Sequence, residues 1–463
     1  MALDRTDESI CTGGCCLMSR SNRPNVLVVL TDQQRWDTLG VYDSPMDLTP
    51  TLDRLGAEGT VVEQAITPQP TCVPFRAAFQ TGRFATETGV WREGLELDDD
   101  VRTLGHRFAD AGYDVGFVGG WYLSGAFEEP VSEGSRGGYT DFWRAADVPE
   151  FTSHPEEGYL YDEAGDRVTF DAYRTDAFTE FGIKGLDALS EPFFLVVSYL
   201  EPHHQNDMWS FVAPEDYAER YGTDPWIPGD LKSSPGDWYG ELPDYYGMVK
   251  RLDEAVDDLL SALEERGIRD DTVVAYTSDH GCHFRTRPGE YKRTPHESAV
   301  RVPAILAGPG FDEAHNVERV TSLLDLPPTL LEAAGLTPPD EMHGDSLLPV
   351  IRGDESDEDG LAFVQISESQ IGRAIRTDRW KYAVAAPKLN GWRGGNGDPA
   401  SDTYVERYLY DLYEDPFEQV NLAGRPNYRD TADRLSRKLQ ECLTDIEGET
   451  PTIRQLDRGF SEY

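Results

Sequence analysis

Apolar residues in this chain fall into short unbroken runs, separated by segments in which they recur every three or four positions. The run Asn25–Thr31, led by Pro24, is apolar from Val26 to Leu30. Such a run suits a strand buried on both faces of a parallel sheet. Residues 113–118, 192–200, 272–277 and 301–307 read the same way. Between them the period changes. Met248, Leu252, Val256, Leu259, Leu260 and Leu263 share one helical face, so a helix is predicted over 244–266, with Gly267 as its stop. Thr49-Pro50 reads as a capped helix start, and 101–111 and 323–334 as further helices. Residues 125–175 are rich in Gly, Glu and aromatics with weak periodicity, and read as a long surface excursion that shapes a pocket.

Strands alternating with helices predict an α/β fold with a largely parallel sheet flanked by helices. Beyond about residue 335 the texture shifts to short strand-like pieces at 361–367, 371–377, 379–385 and 408–412, a Gly-rich loop at 390–397 and a helix at 428–445. The expected organisation is a disordered N-terminal extension over 1–22, a catalytic domain over 23–335 and a smaller α+β subdomain over 336–463. There is no internal repeat.

Composition changes the picture in one respect. The 463 residues carry 85 acidic and 42 basic side chains, a formal charge of −43, and only seven of the basic residues are Lys. The acids are spread along the whole chain. That distribution points to a high-salt environment, where screening removes the self-repulsion. It disfavours nucleic acid as a partner, and an anionic substrate needs a locally positive pocket. Cys11, Cys15 and Cys16 crowd the N-terminus without a second ligand pair nearby, while Cys72, Cys282 and Cys442 are dispersed. This is not a disulfide framework. No apolar signal region and no membrane-length run is present. Cytoplasmic residence without a membrane partner is the expectation, and the oligomeric state is left open.

In an open parallel sheet, ligands gather at the carboxyl ends of the strands. Asp32-Gln33 follows the first strand and Asp279-His280 the fourth. Their oxygens and nitrogens suit a divalent cation, although an acid after a strand is as readily a turn former. Cys72 precedes Pro74 and a helical segment ending at Gly82, so it is placed at a helix N-terminus, which favours anions. Arg76 lies one turn on, on the same face.

Cys72-Val73-Pro74-Phe75-Arg76, with Thr81-Gly82-Arg83 behind it, resembles the core signature of the sulfatases, in the alkaline-phosphatase-like superfamily. The strand-end pairs agree in order, and Leu409-Tyr410-Asp411-Leu412, Asp415-Pro416 and Asn421-Leu422 resemble the C-terminal subdomain of that family. The resemblance implies that Cys72 is oxidised by a formylglycine-generating enzyme to formylglycine, whose hydrated aldehyde is the nucleophile. It implies metal ligation by Asp32, Gln33, Asp279, His280 and residue 72. The metal implied is Ca²⁺, with Mn²⁺ as the alternative because His is the softer ligand. Arg76 holds the formylglycine and the sulfate. The same resemblance makes His203 and Lys292 the candidates for protonating the leaving alcohol. Tyr122, His203, Lys292 and His296 are the residues expected to contact substrate.

The chain departs from the family pattern at several of these positions. Phe75 replaces a small residue. Gln33 and His280 stand where Asp and Asn are common. Gly119-Gly120-Trp121-Tyr122-Leu123 replaces Gly-Lys-Trp-His-Leu, which removes two cations from the sulfate site. The implied function is hydrolysis of a sulfuric ester, such as that of a small molecule or sulfated carbohydrate. The alternatives are a phosphonate monoester or phosphodiester hydrolase on the same scaffold, and an inactive sulfatase-like binding protein.

Overall fold

A computed structural model describes residues 23–456, apart from 288, 313, 358–359 and 388–396. The N-terminal extension with Cys11, Cys15 and Cys16, and most of the Gly-rich loop, lie outside the described residues. The main sheet is built on β1 (Asn25–Thr31), β2 (Thr60–Ile66), β3 (Asp114–Gly120), β4 (Phe142–Ala146), β5 (Phe193–Ser198), β6 (Thr272–Ser278), β7 (Ala304–Ala307) and β8 (His315–Ser322). Its central order is β2-β7-β6-β1-β5-β3-β4. From β6 to β4 all pairs are parallel, and β1, β5 and β6 are buried along their whole length. The unbroken apolar runs therefore mark the strands covered by helices on both faces.

Several elements differ from expectation. β2 is interrupted by Glu63 and Gln64 and has no run long enough to stand out, yet it pairs with both β7 and β8. The 301–307 run is broken at Pro303, and β7 runs antiparallel to β6. Residues 125–175 are not only a surface excursion. They contribute β4, with Trp143 fully buried, and then an antiparallel hairpin at the edge of the sheet. Ring contacts among Phe117, Trp121 and Trp143, one stacked and two edge-to-face, hold this region, and no periodicity rule registers such a cluster.

The α1 helix (Pro50–Glu58) is capped, but not by Thr49. The Thr51 and Leu52 amides donate to Asp253 Oδ1 at 3.0 and 2.9 Å, and Asp253 is buried on a distant helix, α3 (Trp238–Glu265). Burial pushes that carboxyl up to about 6 against these amide bonds. Replacing Asp253 by Ala leaves two buried donors unpaired, at an expected cost of about 1–3 kcal/mol. Asp253→Asn restores most of that loss. Equilibrium denaturation of both variants measures it, and an unchanged midpoint for Asp253→Ala refutes the cap.

A second sheet is formed by Leu361–Ile366, Gly372–Thr377, Trp380–Ala385, Thr403–Asp411 and Thr452–Arg454, covered by the helix Arg429–Glu447. It does not hang free of the first. Ile66, Val300 and Val320 pack with Ala362, Val364 and Tyr410 in one apolar cluster. Beside it lies a buried ion network, with Lys381 Nζ 2.7 Å from both Glu297 and Glu418, and Arg376 on Glu297. No helix among the described residues is long and apolar enough to cross a membrane.

Candidate active site

The strand register brings the site together. Thr31 and Ser278 are paired across β1 and β6, so the residues that follow them, Asp32 and Asp279, emerge side by side. β5 and β3 end beside them and deliver His203 and Tyr122. The α2 helix (Cys72–Thr81) brings Cys72 and Arg76 from beneath, with all ten residues buried. It stops at Gly82, whose φ of +71° is costly for a side chain and whose Cβ would meet Met342 at 2.5 Å.

Asp32, Cys72, Asp279 and His280 offer four ligand atoms within 4.8 Å of one another. Cys72 Sγ is 3.4 Å from Asp32 Oδ1, 3.3 Å from His280 Nε2 and 2.8 Å from Lys292 Nζ. His280 Nδ1 lies 2.9 Å from the Gly281 carbonyl, which accepts its proton and leaves Nε2 as a lone pair facing the cluster. Asp279 Oδ1 accepts from the Gln33 and His280 amides, while Oδ2 is buried without a hydrogen-bond partner. Burial and then the Asp32 charge push the Asp279 carboxyl well up. Burial acts the same way on Asp32, but His203, Lys292, His280 and Arg76 hold it below the carboxylate range. Two buried acids driven apart in this way, one with an orphaned oxygen, fit a divalent cation.

Arg76 donates to Asp32 Oδ2 at 3.3 Å, to the Gly120 carbonyl at 3.1 Å and to Ser198 Oγ. The Tyr122 ring lies over its guanidinium, 4.2 Å from centroid to Cζ. A Cβ at Gly120 would sit 2.3 Å from Tyr122 Cε2. The two departures in this segment therefore form one unit: glycine at 120 opens the space that the tyrosine ring fills. Tyr122 has φ +67° and its hydroxyl, buried in the site, has no partner among the described residues. Phe75 stacks on Phe79 in the core and does not line the cavity.

Lys292 Nζ also lies 3.3 Å from His203 Nε2 and 3.2 Å from His280 Nε2. Burial would lower its pKa, yet Cys72, Asp32 and Glu93 raise it, so it stays charged. Burial and then the Lys292 charge push His203 down to about 3, leaving it neutral. The Cys72 thiol is pushed well up by burial and then Asp32. Cys72, His203 and Lys292 line a 590 Å³ cavity.

Of the expected residues, Gln33 turns its Nε2 to Cys282 Sγ at 3.4 Å, and it is the backbone amide of Gln33 that serves Asp279. His296 does not line the cavity. It is buried with its Nε2 3.2 Å from the Tyr410 hydroxyl of the second sheet. Other contributors were not read from the sequence. Ser198, the polar end of an apolar strand, binds Arg76, and that polar terminus was a usable signal. Glu368, from the second sheet, pairs with Arg293 beside Lys292, and its backbone φ of +66° belongs to a loop with no sequence signature.

A family model described as Sulfatase matches residues 24–336. The chain belongs to the sulfatase family. A second model, the C-terminal domain of N-sulphoglucosamine sulphohydrolase, matches 289–393 of this sulfatase. It is 27% identical over 443 residues to an ulvan-active sulfatase of Formosa agariphila, covering 92% of this chain and 82% of that one. Its fold matches a protein solved with its substrate D-glucosamine-2-N,6-O-disulfate, at TM-score 0.73 and 21% identity, over 93% of this chain and 99% of that one. It also matches the phosphonate monoester hydrolase of Agrobacterium radiobacter, at TM-score 0.66 and 22% identity, over 91% and 96% of the two chains.

Proposed function

We propose that this sulfatase hydrolyses sulfuric esters of carbohydrates, with Cys72 matured to formylglycine by a formylglycine-generating enzyme. The observation that carries the reading is the buried cluster of Asp32, Cys72, Asp279 and His280, with Arg76 and Lys292 against it. A thiol pushed up by burial is a poor thiolate nucleophile, which favours a matured residue over direct attack by sulfur. The cation would be held by Asp32, Asp279 and His280. Two oxygen ligands favour Ca²⁺, and the imidazole admits Mn²⁺. When present, the cation supplies charge to anionic oxygens and the hydrated aldehyde supplies an oxygen nucleophile.

The chain's own residues divide the remaining work. Arg76 is fixed by Ser198, the Gly120 carbonyl and Asp32, so its charge is pre-aimed at the transferred group. The Tyr122 hydroxyl donates to a non-bridging oxygen in place of the missing Lys and His. Lys292 holds the proton destined for the leaving oxygen, and neutral His203 accepts from Lys292 and keeps it aimed. As the sulfur–oxygen ester bond breaks, that oxygen takes the Lys292 proton. The acidic surface supports a high-salt setting for this activity.

Gly120 and Tyr122 favour a second reading, hydrolysis of a phosphonate monoester or phosphodiester, because the loss of two cationic contacts suits a centre with two rather than three non-bridging oxygens. A substrate panel decides between them. For the metal-loaded protein with residue 72 oxidised, kcat/KM for an aryl sulfate is expected to exceed those for the phosphonate monoester and the phosphodiester by at least about tenfold. The reverse order establishes the second reading. No turnover of any of the three leaves a binding protein.

A further inference from the structure

Above the reacting centre the cavity changes character. Trp209 is 73% exposed at its rim and Phe151 is 58% exposed beside Phe127. Three cations line the cavity among the described residues. Lys292 is committed to the centre. Arg293 is already paired with Glu368 and Glu290. Arg285 lies 3.4 Å from Asp237 and against the Tyr291 and Trp209 rings. The lining also carries Glu93, Glu150 and Glu290, and burial pushes Glu150 up to about 7. Glu150 Oε1 accepts from Asn206 at 2.9 Å and stands 3.8 Å from His203 Nδ1, a buried nitrogen without a hydrogen-bond partner.

We propose that the mouth of the cavity is a subsite for an uncharged, hydroxyl-bearing ring, with Trp209 as its stacking face and Glu150 as an acceptor for a ring hydroxyl. The proposal rests on the sulfuric-ester reading and narrows it to substrates with a single anionic group. A second sulfate or a uronate at the mouth meets Glu93, Glu150 and Glu290, while each cation lining it among the described residues already faces a carboxylate or the centre; a hydroxyl instead gives the largely buried Glu150 carboxylate a further hydrogen bond. An exposed indole beside such acceptors matches a pyranose, which has one apolar face and a polar edge.

The test uses glucose and galactose sulfated singly at each hydroxyl, each against its disulfated counterpart, with 4-nitrophenyl sulfate as the reference ester. The matured enzyme is expected to prefer at least one monosulfated sugar over its disulfated partner by about tenfold or more in kcat/KM. Trp209→Ala should raise KM for that sugar about tenfold while leaving kcat within about twofold. Glu150→Gln, which keeps the acceptor and removes the charge, should bring the two sugars close to parity. Calorimetric binding of the same pairs to Cys72→Ala gives the discrimination without turnover. Equal handling of mono- and disulfated sugars, or an unchanged KM in Trp209→Ala, overturns the subsite. Cleavage of the aryl ester with no sugar cleaved or bound overturns the subsite alone. Failure on the aryl ester as well overturns the hydrolase reading with it.

Discussion

Replacing Cys72 by Ala is expected to abolish ester hydrolysis and to leave the chain folded. The side chain is 4% exposed and its sulfur is the atom on which Asp32, His280 and Lys292 converge. On the proposed reading, removing it takes away the nucleophile precursor and leaves Asp32, Asp279 and His280 in place. The structural cost is one buried sulfur, on the order of 1–2 kcal/mol, because α2 is held by its other buried residues. The measurements are kcat/KM for an aryl sulfate together with the thermal unfolding midpoint. A wild-type rate in Cys72→Ala refutes the site assignment. Mass spectrometry of the peptide spanning residue 72 is the companion experiment. In active protein, sulfur should be exchanged for oxygen with loss of two hydrogens, and an unmodified Cys72 in fully active protein refutes the aldehyde.

Lys292→Ala is expected to cost about 10³-fold in kcat/KM on a sugar sulfate, in the range general acid catalysis supplies. The size of the loss should depend on the leaving group. An alkoxide needs the proton and a nitrophenolate does not, so 4-nitrophenyl sulfate should lose only about tenfold. Equal losses on both esters would make Lys292 an electrostatic clamp rather than a proton donor. Lys292 is buried, and the next residue, Arg293, is anchored by Glu290 and by Glu368 from a loop of the second sheet. A loop of the second sheet thus helps to fix the segment that carries Lys292, the proposed proton donor. That contact explains why a segment distant in sequence bears on chemistry at the ends of the parallel strands.

Much of the site was legible because its parts are tied to strand ends. The runs of β1 and β6 end at Thr31 and Ser278, and Asp32 and Asp279 are the first acids after them. Cys72, Pro74 and Gly82 announce a helix start and stop by local backbone chemistry alone. The elements that went unread are those whose reasons are not local. β2 contains two polar residues and exists because β7 and β8 pair with it. The α1 helix takes its cap from Asp253, some two hundred residues away, rather than from the adjacent Thr49. The α3 helix starts at Trp238, before the expected 244, and runs through Pro243, because Leu242, Tyr245 and Tyr246 bury themselves around that break. The Tyr245 hydroxyl also donates to the Gln33 carbonyl and accepts from the Arg35 amide, which fixes the loop after β1.

The sequence by itself determined the α/β class, the parallel centre of the sheet and which residues were candidates for the chemistry. Those follow from apolar periodicity and from residue type, both local properties. Only the tertiary structure decided which of those groups meet. It assembled Asp32, Cys72, Asp279 and His280 into one cluster, set Gln33 Nε2 3.4 Å from Cys282 Sγ and buried His296 against Tyr410. It also showed that Gly120 and Tyr122 are a single packing solution over Arg76. The physical reason is register: strand pairing and helix packing set distances to within an ångström or so, and neither composition nor spacing along the chain contains them.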